Sequence, residues 1–309
     1  MNSIGFGKAS LKGTWKTDWL FADDIEANAV VLRPERGDPV ALVTSDMLTQ
    51  WPRRSLALRD AVARRLHTVP DKVGILCTQN HAVPVDAPEI FDLERLEAAF
   101  AQAAASALNA AVPAVMTYVE TSPNPPGVVN RRVRFDDAGS FTFYFGFELR
   151  PDGRAGYAHL LDLAIRGLYA GPEQTLRNPC PEAESWPVVN GIPPLPPYPV
   201  FNDAEDPLIQ GLFFKTPDGQ PIGSISRWAA HPITANVAGV KRHTADYPYY
   251  VRQCLARKFG GGAVFLTGPC GNQAPCVDRK SLALAQRTGD WVGRQLLDAL
   301  SSATWKPLD

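Results

Sequence analysis

A layered α/β fold, with a mixed or largely parallel sheet flanked by helices, is predicted by three features. Short β-branched runs lie between turn residues, helical apolar periodicity fills several of the gaps, and the apolar content can fill a large core. In chain order, the β-branched runs at 29–32, 40–45, 73–77, 115–120, 141–147, 208–215, 222–229 and 263–267 predict strands. Apolar residues at helical spacing predict helices over 55–66, 93–111, 247–259 and 282–300. Strands alternating with helices imply helices packed on the sheet faces, in three layers. No internal repeat is visible.

The stretch 171–207 breaks this rhythm. Pro179, Pro181, Pro187, Pro193, Pro194, Pro196, Pro197, Pro199 and Pro207 crowd together there, and proline supports neither a helix interior nor a central strand. An irregular insertion is expected, either a lid or an arm against a partner. With 309 residues, 45% hydrophobic, the chain reaches the upper end of what one core holds, so one domain over 1–309, or two closely fused lobes, is expected.

The net charge is −1, from 31 basic and 32 acidic side chains. No broad positive field exists to attract nucleic acid or anionic membrane. Apolar runs such as 27–32 and 263–266 fall far short of the roughly 20 residues that span a bilayer. Met1 to Lys8 lacks the apolar run and cleavage pattern of a signal peptide, so a cytoplasmic location is expected. The five scattered cysteines, Cys77, Cys180, Cys254, Cys270 and Cys276, then read as thiols rather than a disulfide framework.

Polar groups gather just after predicted strands, where α/β proteins place ligand sites. Gln79, Asn80 and His81 follow the strand at 73–77, and His231 follows the one at 222–229. Cys270, Asn272 and Gln273 lie in the glycine-proline turn after 263–267, whose backbone N–H groups suit an anion. Arg131 follows the Pro-Gly loop at 123–127. From these, His81 and His231 are candidate acid/base groups and Arg131 a candidate anion or carbonyl clamp. Gln79, Asn80, Asn272, Gln273, Cys270 and His243 are candidates for substrate contact. Cys270 is either a nucleophile or a small buried thiol, and Asp246, ahead of a helical pattern, reads as an N-cap.

The order and local wording of these segments resemble the N-terminal part of the neutral/alkaline (non-lysosomal) ceramidase family. Gly5-Phe6-Gly7-Lys8-Ala9-Ser10 is similar to the family's opening, and Val40-Ala41-Leu42-Val43-Thr44-Ser45-Asp46 follows. The loop at 78–84 resembles the family's Thr-His-Thr-His-Ser-Gly-Pro, and Asn130-Arg131-Arg132 its Asn-Arg element. Asp206-Pro207 with Thr216-Pro217-Asp218-Gly219 is similar to its Asp-Pro and Asp-Gly pair. Ala230-His231-Pro232, Thr244-Ala245-Asp246-Tyr247-Pro248 and the turn from Phe265 to Pro275 complete the series.

The resemblance implies a ceramidase-like catalytic domain, and a zinc ion held by two histidines from this half and a glutamate and tyrosine from further along. Those last two would fall beyond residue 309. The second histidine ligand falls on His231 and the first on Gln79, whose amide oxygen is a poor zinc ligand. The next family histidine is kept as His81, so any metal would fall to His231 and His81. The turn's hydroxyl falls on Ala274 and its acidic residue on Asn272.

These departures point away from zinc hydrolysis. The first expectation is an enzyme subunit working without a cofactor at a carbon–nitrogen centre of a small molecule, in specialised metabolism. Cyclisation of an amine with loss of an anion, or acyl transfer, would fit. A zinc-dependent amidohydrolase with a rebuilt site and a non-catalytic scaffold subunit stand as alternatives. A non-identical partner subunit is expected to cover the surface that the family's remaining strands would occupy.

Overall fold

The structure is a computed structural model describing residues 1–16, 19–84, 90–123, 127–130, 132–135, 139–142, 206–235, 242–275 and 280–308. Its first part contains β1 (Ser3–Ser10), β2 (Leu20–Phe21), β3 (Glu26–Arg33), β4 (Val40–Ser45), α1 (Pro52–Leu66), β5 (Val73–Cys77), α2 (Leu93–Asn109) and β6 (Val112–Pro113). Next come β7 (Val115–Thr121), β8 (Val128–Asn130), β9 (Arg132–Phe135), β10 (Gly139–Thr142), β11 (Ile209–Lys215) and β12 (Pro221–Trp228). The chain continues through β13 (Arg242–His243), α3 (Asp246–Lys258), β14 (Gly262–Thr267), β15 (Gln273–Pro275), α4 (Leu282–Leu300) and β16 (Lys306–Pro307).

Two mixed five-stranded sheets dominate, in the orders β5-β4-β3-β1-β6 and β14-β12-β11-β7-β16. Each has one parallel pair, β4 with β5 and β12 with β14, and is otherwise antiparallel. A helix bridges each parallel pair, as a parallel connection requires. Three side-chain clusters define the layers. The first joins Val31 and Val43 to Leu58, Val62, Leu96 and Phe100 of α1 and α2. The second joins Phe213, Trp228 and Phe265 to Val251, Leu255, Val292 and Leu296 of α3 and α4. Between the sheets, Ile4, Val30, Phe214 and Val264 form the third, with Phe6, Leu42 and Leu212 at its margin.

The result is four layers, helix-sheet-sheet-helix, where the sequence predicts three. Strand spacing reveals which residues alternate but not that both apolar faces of each sheet will be covered, one by helices and one by the other sheet. A repeat invisible in the sequence also emerges. Counting the described helices and the strands of the two large sheets, each half runs strand, strand, strand, helix, strand, helix, strand, and its five sheet strands occupy the same places in the two orders. Ala114, between β6 and β7, is the crossing point. Its N–H reaches the Asn2 carbonyl of the first half, and its carbonyl accepts the Leu308 N–H of the second.

Local chemistry sets the elements. Asp92 and Ser281 cap α2 and α4 by accepting the N–H of Arg95 and Leu284. Pro52 opens α1, and His67 closes it in the left-handed region. The strand expected at 141–147 is seen only as β10, since 143–147 lie outside the described residues, as does 171–205 of the proline-rich stretch. No described helix is long and apolar enough to cross a membrane.

Candidate functional site

Both parallel pairs end at the same place. The Thr78 N–H donates to the Ser45 carbonyl (2.9 Å) beyond β4/β5, and the Gly268 N–H donates to the Trp228 carbonyl (3.1 Å) at the matching point of β12/β14. The Thr267 hydroxyl then reaches the Thr78 carbonyl (2.8 Å) and ties the two ends together. The loops leaving β5, β12 and β14 therefore converge, the arrangement that positions ligand sites in α/β folds.

His81 and His231, 150 residues apart, face each other with Nε2 atoms 2.7 Å apart and ring centroids 4.7 Å apart. His231 is buried, with Nδ1 3.0 Å from the Cys270 carbonyl oxygen. A carbonyl only accepts, so Nδ1 of His231 carries the proton and its Nε2 presents a lone pair. In the neutral pair the His81 Nε2–H donates into that lone pair. Backbone bonds fix both rings' supports, from His81 N–H to the Pro232 carbonyl (3.2 Å) and from His231 N–H to the Gln273 carbonyl (3.1 Å).

Asp246 holds the loop that carries His231. Its carboxylate accepts the Thr234 hydroxyl and the Ala235 N–H (2.8 Å), as well as the Tyr247 N–H. It is the first residue of α3, with φ +55°, while Ala245 occupies the cap position. The N-cap expected at Asp246 is thus one residue early, and the side chain braces a loop as well as the helix end. Burial pushes this carboxyl above its usual range, against the hydrogen bonds that lower it.

Gln79 is exposed, has φ +59°, and accepts the buried Cys270 thiol at Oε1 (3.0 Å). Asn80 and Gln273 are buried and spend their carboxamides on the protein. Asn80 binds the Asp46 and Thr244 carbonyls and the Ala82 N–H. Gln273 binds the Ala229 and Asp206 carbonyls and the Asp206 N–H. Asn272 is half-buried in the same turn. Among the described residues, His243 meets the site through the Ala82 carbonyl (3.2 Å), edge-on to Trp19, and burial lowers its pKa.

Arg131 lies outside the described residues. Asn130 before it pairs with Gln273, so the chain reaches the 268–275 turn just ahead of it. Residues that sequence reasoning missed form a buried ion cluster between the halves. Arg252 of α3 makes two bonds to Asp46 (2.8 and 2.7 Å) and one to Glu26 (3.5 Å), which also pairs with Lys8 (2.7 Å). The available signal was an arginine on the apolar stripe of a helix.

Zinc, which the family resemblance implies, needs three protein ligands in a catalytic site. Among the described residues no three His, Cys, Asp or Glu side chains could hold a metal ion. The imidazoles are also at hydrogen-bond distance, whereas two nitrogens on one tetrahedral zinc stand roughly 3.3 Å apart. The described donors therefore do not fit the ion.

No protein-family model matches the sequence, and no curated protein matches it. Among solved structures, the chain is similar to the neutral ceramidase from Pseudomonas aeruginosa, with TM-score 0.63 and 14% identity over 97% of this chain and 45% of that one. A ceramidase complexed with C2 gives the same score and identity, over 97% of this chain and 44% of that one. The fold is ceramidase-like, and the chain spans under half the length of these relatives. At this identity the likeness speaks for the fold alone.

Proposed function

We propose that this chain is an enzyme subunit with a ceramidase-like fold whose site performs proton transfer at a carbon–nitrogen centre. The observation that carries the proposal is the His81–His231 contact at the meeting point of the strand ends. A paired imidazole with one fixed tautomer is a general base that can also return a proton. In the favoured reaction an amine nitrogen attacks the carbon bearing an anionic leaving group. The new C–N bond forms, the nitrogen's proton passes to the imidazole pair, and the leaving group departs with the bonding electrons. Backbone N–H groups of the turn beyond Pro269, and the Arg131 guanidinium, would receive that anion.

Acyl transfer to an amine uses the same groups. A place in specialised metabolism and a non-identical partner subunit over the site end belong to this reading.

The test is turnover, read by mass spectrometry, on amines bearing phosphate or carboxylate leaving groups, with protein copurified with its partners. His81→Ala and His231→Ala are each expected to lower turnover by about 10²–10⁴-fold, the usual worth of general acid–base catalysis. Full turnover in His231→Ala would overturn the proposal.

A further inference from the structure

We infer that Asn80 is the positioning residue that sets the approach of the two imidazoles, an inference that rests on the pair being the working centre. Asn80 is 0% exposed, so its side chain has no path to a substrate. Its Nδ2 donates to the Asp46 carbonyl (3.3 Å) and the Thr244 carbonyl (2.7 Å), and its Oδ1 accepts the Ala82 N–H (2.9 Å). Both amide hydrogens and the carbonyl oxygen are thereby engaged. Its own N–H adds a bond to the Met47 carbonyl (3.2 Å).

These partners belong to different halves. Asp46 ends the β4 segment and is clamped by Arg252. Thr244 leads into α3, two residues before Asp246, whose carboxylate holds Thr234 and Ala235 on the His231 loop. Asn80 is therefore one link in a short bonded path from the residue before His81 to the loop after His231. The backbone bond from His81 to Pro232 closes that path into a ring. A change in the path tilts one imidazole against the other, and an N–H···N bond weakens steeply with angle.

The chemistry at position 80 calls for a carboxamide. Two carbonyl oxygens need donors and one N–H needs an acceptor, and leaving any of these buried groups unpaired is costly. Aspartate has nearly the same shape but turns the donor end into an acceptor facing both carbonyls. Serine keeps one hydroxyl and loses the reach. The Asn80→Asp and Asn80→Ser variants therefore break the link by different routes.

The experiment is nitrogen-15 NMR of the full-length, histidine-labelled protein, reading the scalar coupling between the two Nε2 nuclei through their shared hydrogen. Asn28→Ala, a change at a buried polar residue of β3 outside the site, is the control for general loosening. The wild type and Asn28→Ala should show the coupling. Asn80→Asp and Asn80→Ser should lose it while keeping their near-ultraviolet dichroism. Coupling that persists in either folded Asn80 variant overturns the positioning role and leaves the imidazole pair intact. Absence of coupling in the wild type overturns the pair itself, and the inference with it. If neither variant folds, or if Asn28→Ala also loses the coupling, the residue serves stability alone and the inference fails.

Discussion

Asp46 is fully buried between β3, β4 and α3, facing Arg252 and Glu26, with Lys8 beyond Glu26. Burial pushes its carboxyl up to about 6 from 3.8, outweighing the pull of Arg252 in the other direction. The folded chain thus holds this proton at pH values where the unfolded chain has released it. Its contribution to stability is fully present below about 3.8 and is lost as pH rises through about 6. Asp46→Asn removes that slope while leaving Asp23 and Asp246 to titrate in both proteins. Urea unfolding at pH 4 and pH 7 should show the variant gaining on the wild type by roughly 1–3 kcal/mol as pH rises. Parallel stability curves would contradict the assignment. This carboxylate was legible only as part of a motif, whereas His81 and His231 were legible because each follows a strand. The sequence could not show that Asn80 and Gln273, beside those histidines, turn inward. For Asn80 that depends on the Thr244 carbonyl of the opposite half, more than 100 residues away, and for Gln273 on the Ala229 and Asp206 carbonyls of its own half.

Elements built on clear β-branched runs or helical apolar spacing match the structure closely. Strands expected at 40–45 and 73–77 and the helix at 282–300 have those bounds, because propensity and burial agree there. β1 went unread as a strand, since Gly5, Gly7 and Lys8 dilute its signal. The glycines answer to a helix instead. A Cβ on Gly5 would lie 2.0 Å from the Ala107 carbonyl oxygen, and one on Gly7 would lie 2.4 Å from that of Ala103. The alanine face of α2 rests directly on the strand backbone, and the contact leaves no room for a methyl group. Gly5→Ala must push α2 off the sheet, at about 3 kcal/mol, the upper range for overpacking a core. Urea denaturation checks the cost, and Gly13→Ala, where nothing lies within 4 Å, should stay within about 0.5 kcal/mol of wild type. A Gly5→Ala protein as stable as wild type would mean that β1 and α2 are not in contact.

The two halves share a topology without sharing visible sequence words, which is why no repeat is read from the residues. Apolar alternation tolerates many side chains, so the same seven-element pattern can be written twice in different letters. What the halves cannot do separately follows from the middle cluster. Ile4, Phe6, Val30, Leu32 and Leu42 cover one sheet, and Met116, Leu212, Phe214, Ile225 and Val264 cover the other. Each set is buried by its counterpart. Cut at Ala114, the first half would expose a flat apolar sheet face, and such faces associate or aggregate. Produced alone, residues 1–113 should therefore be insoluble or self-associated. Co-produced with 115–309, the fragment should form a soluble one-to-one complex, because the covalent link at Ala114 is short and the cluster supplies the attraction. The site gives a second readout of the same assembly, since His81 comes from one fragment and His231 from the other. Nitrogen-15 coupling between their Nε2 nuclei should reappear only in the complex. A fragment 1–113 that stays monomeric, with a cooperative unfolding transition of its own, would show that the half is an independent domain and that the shared apolar layer is dispensable for its stability.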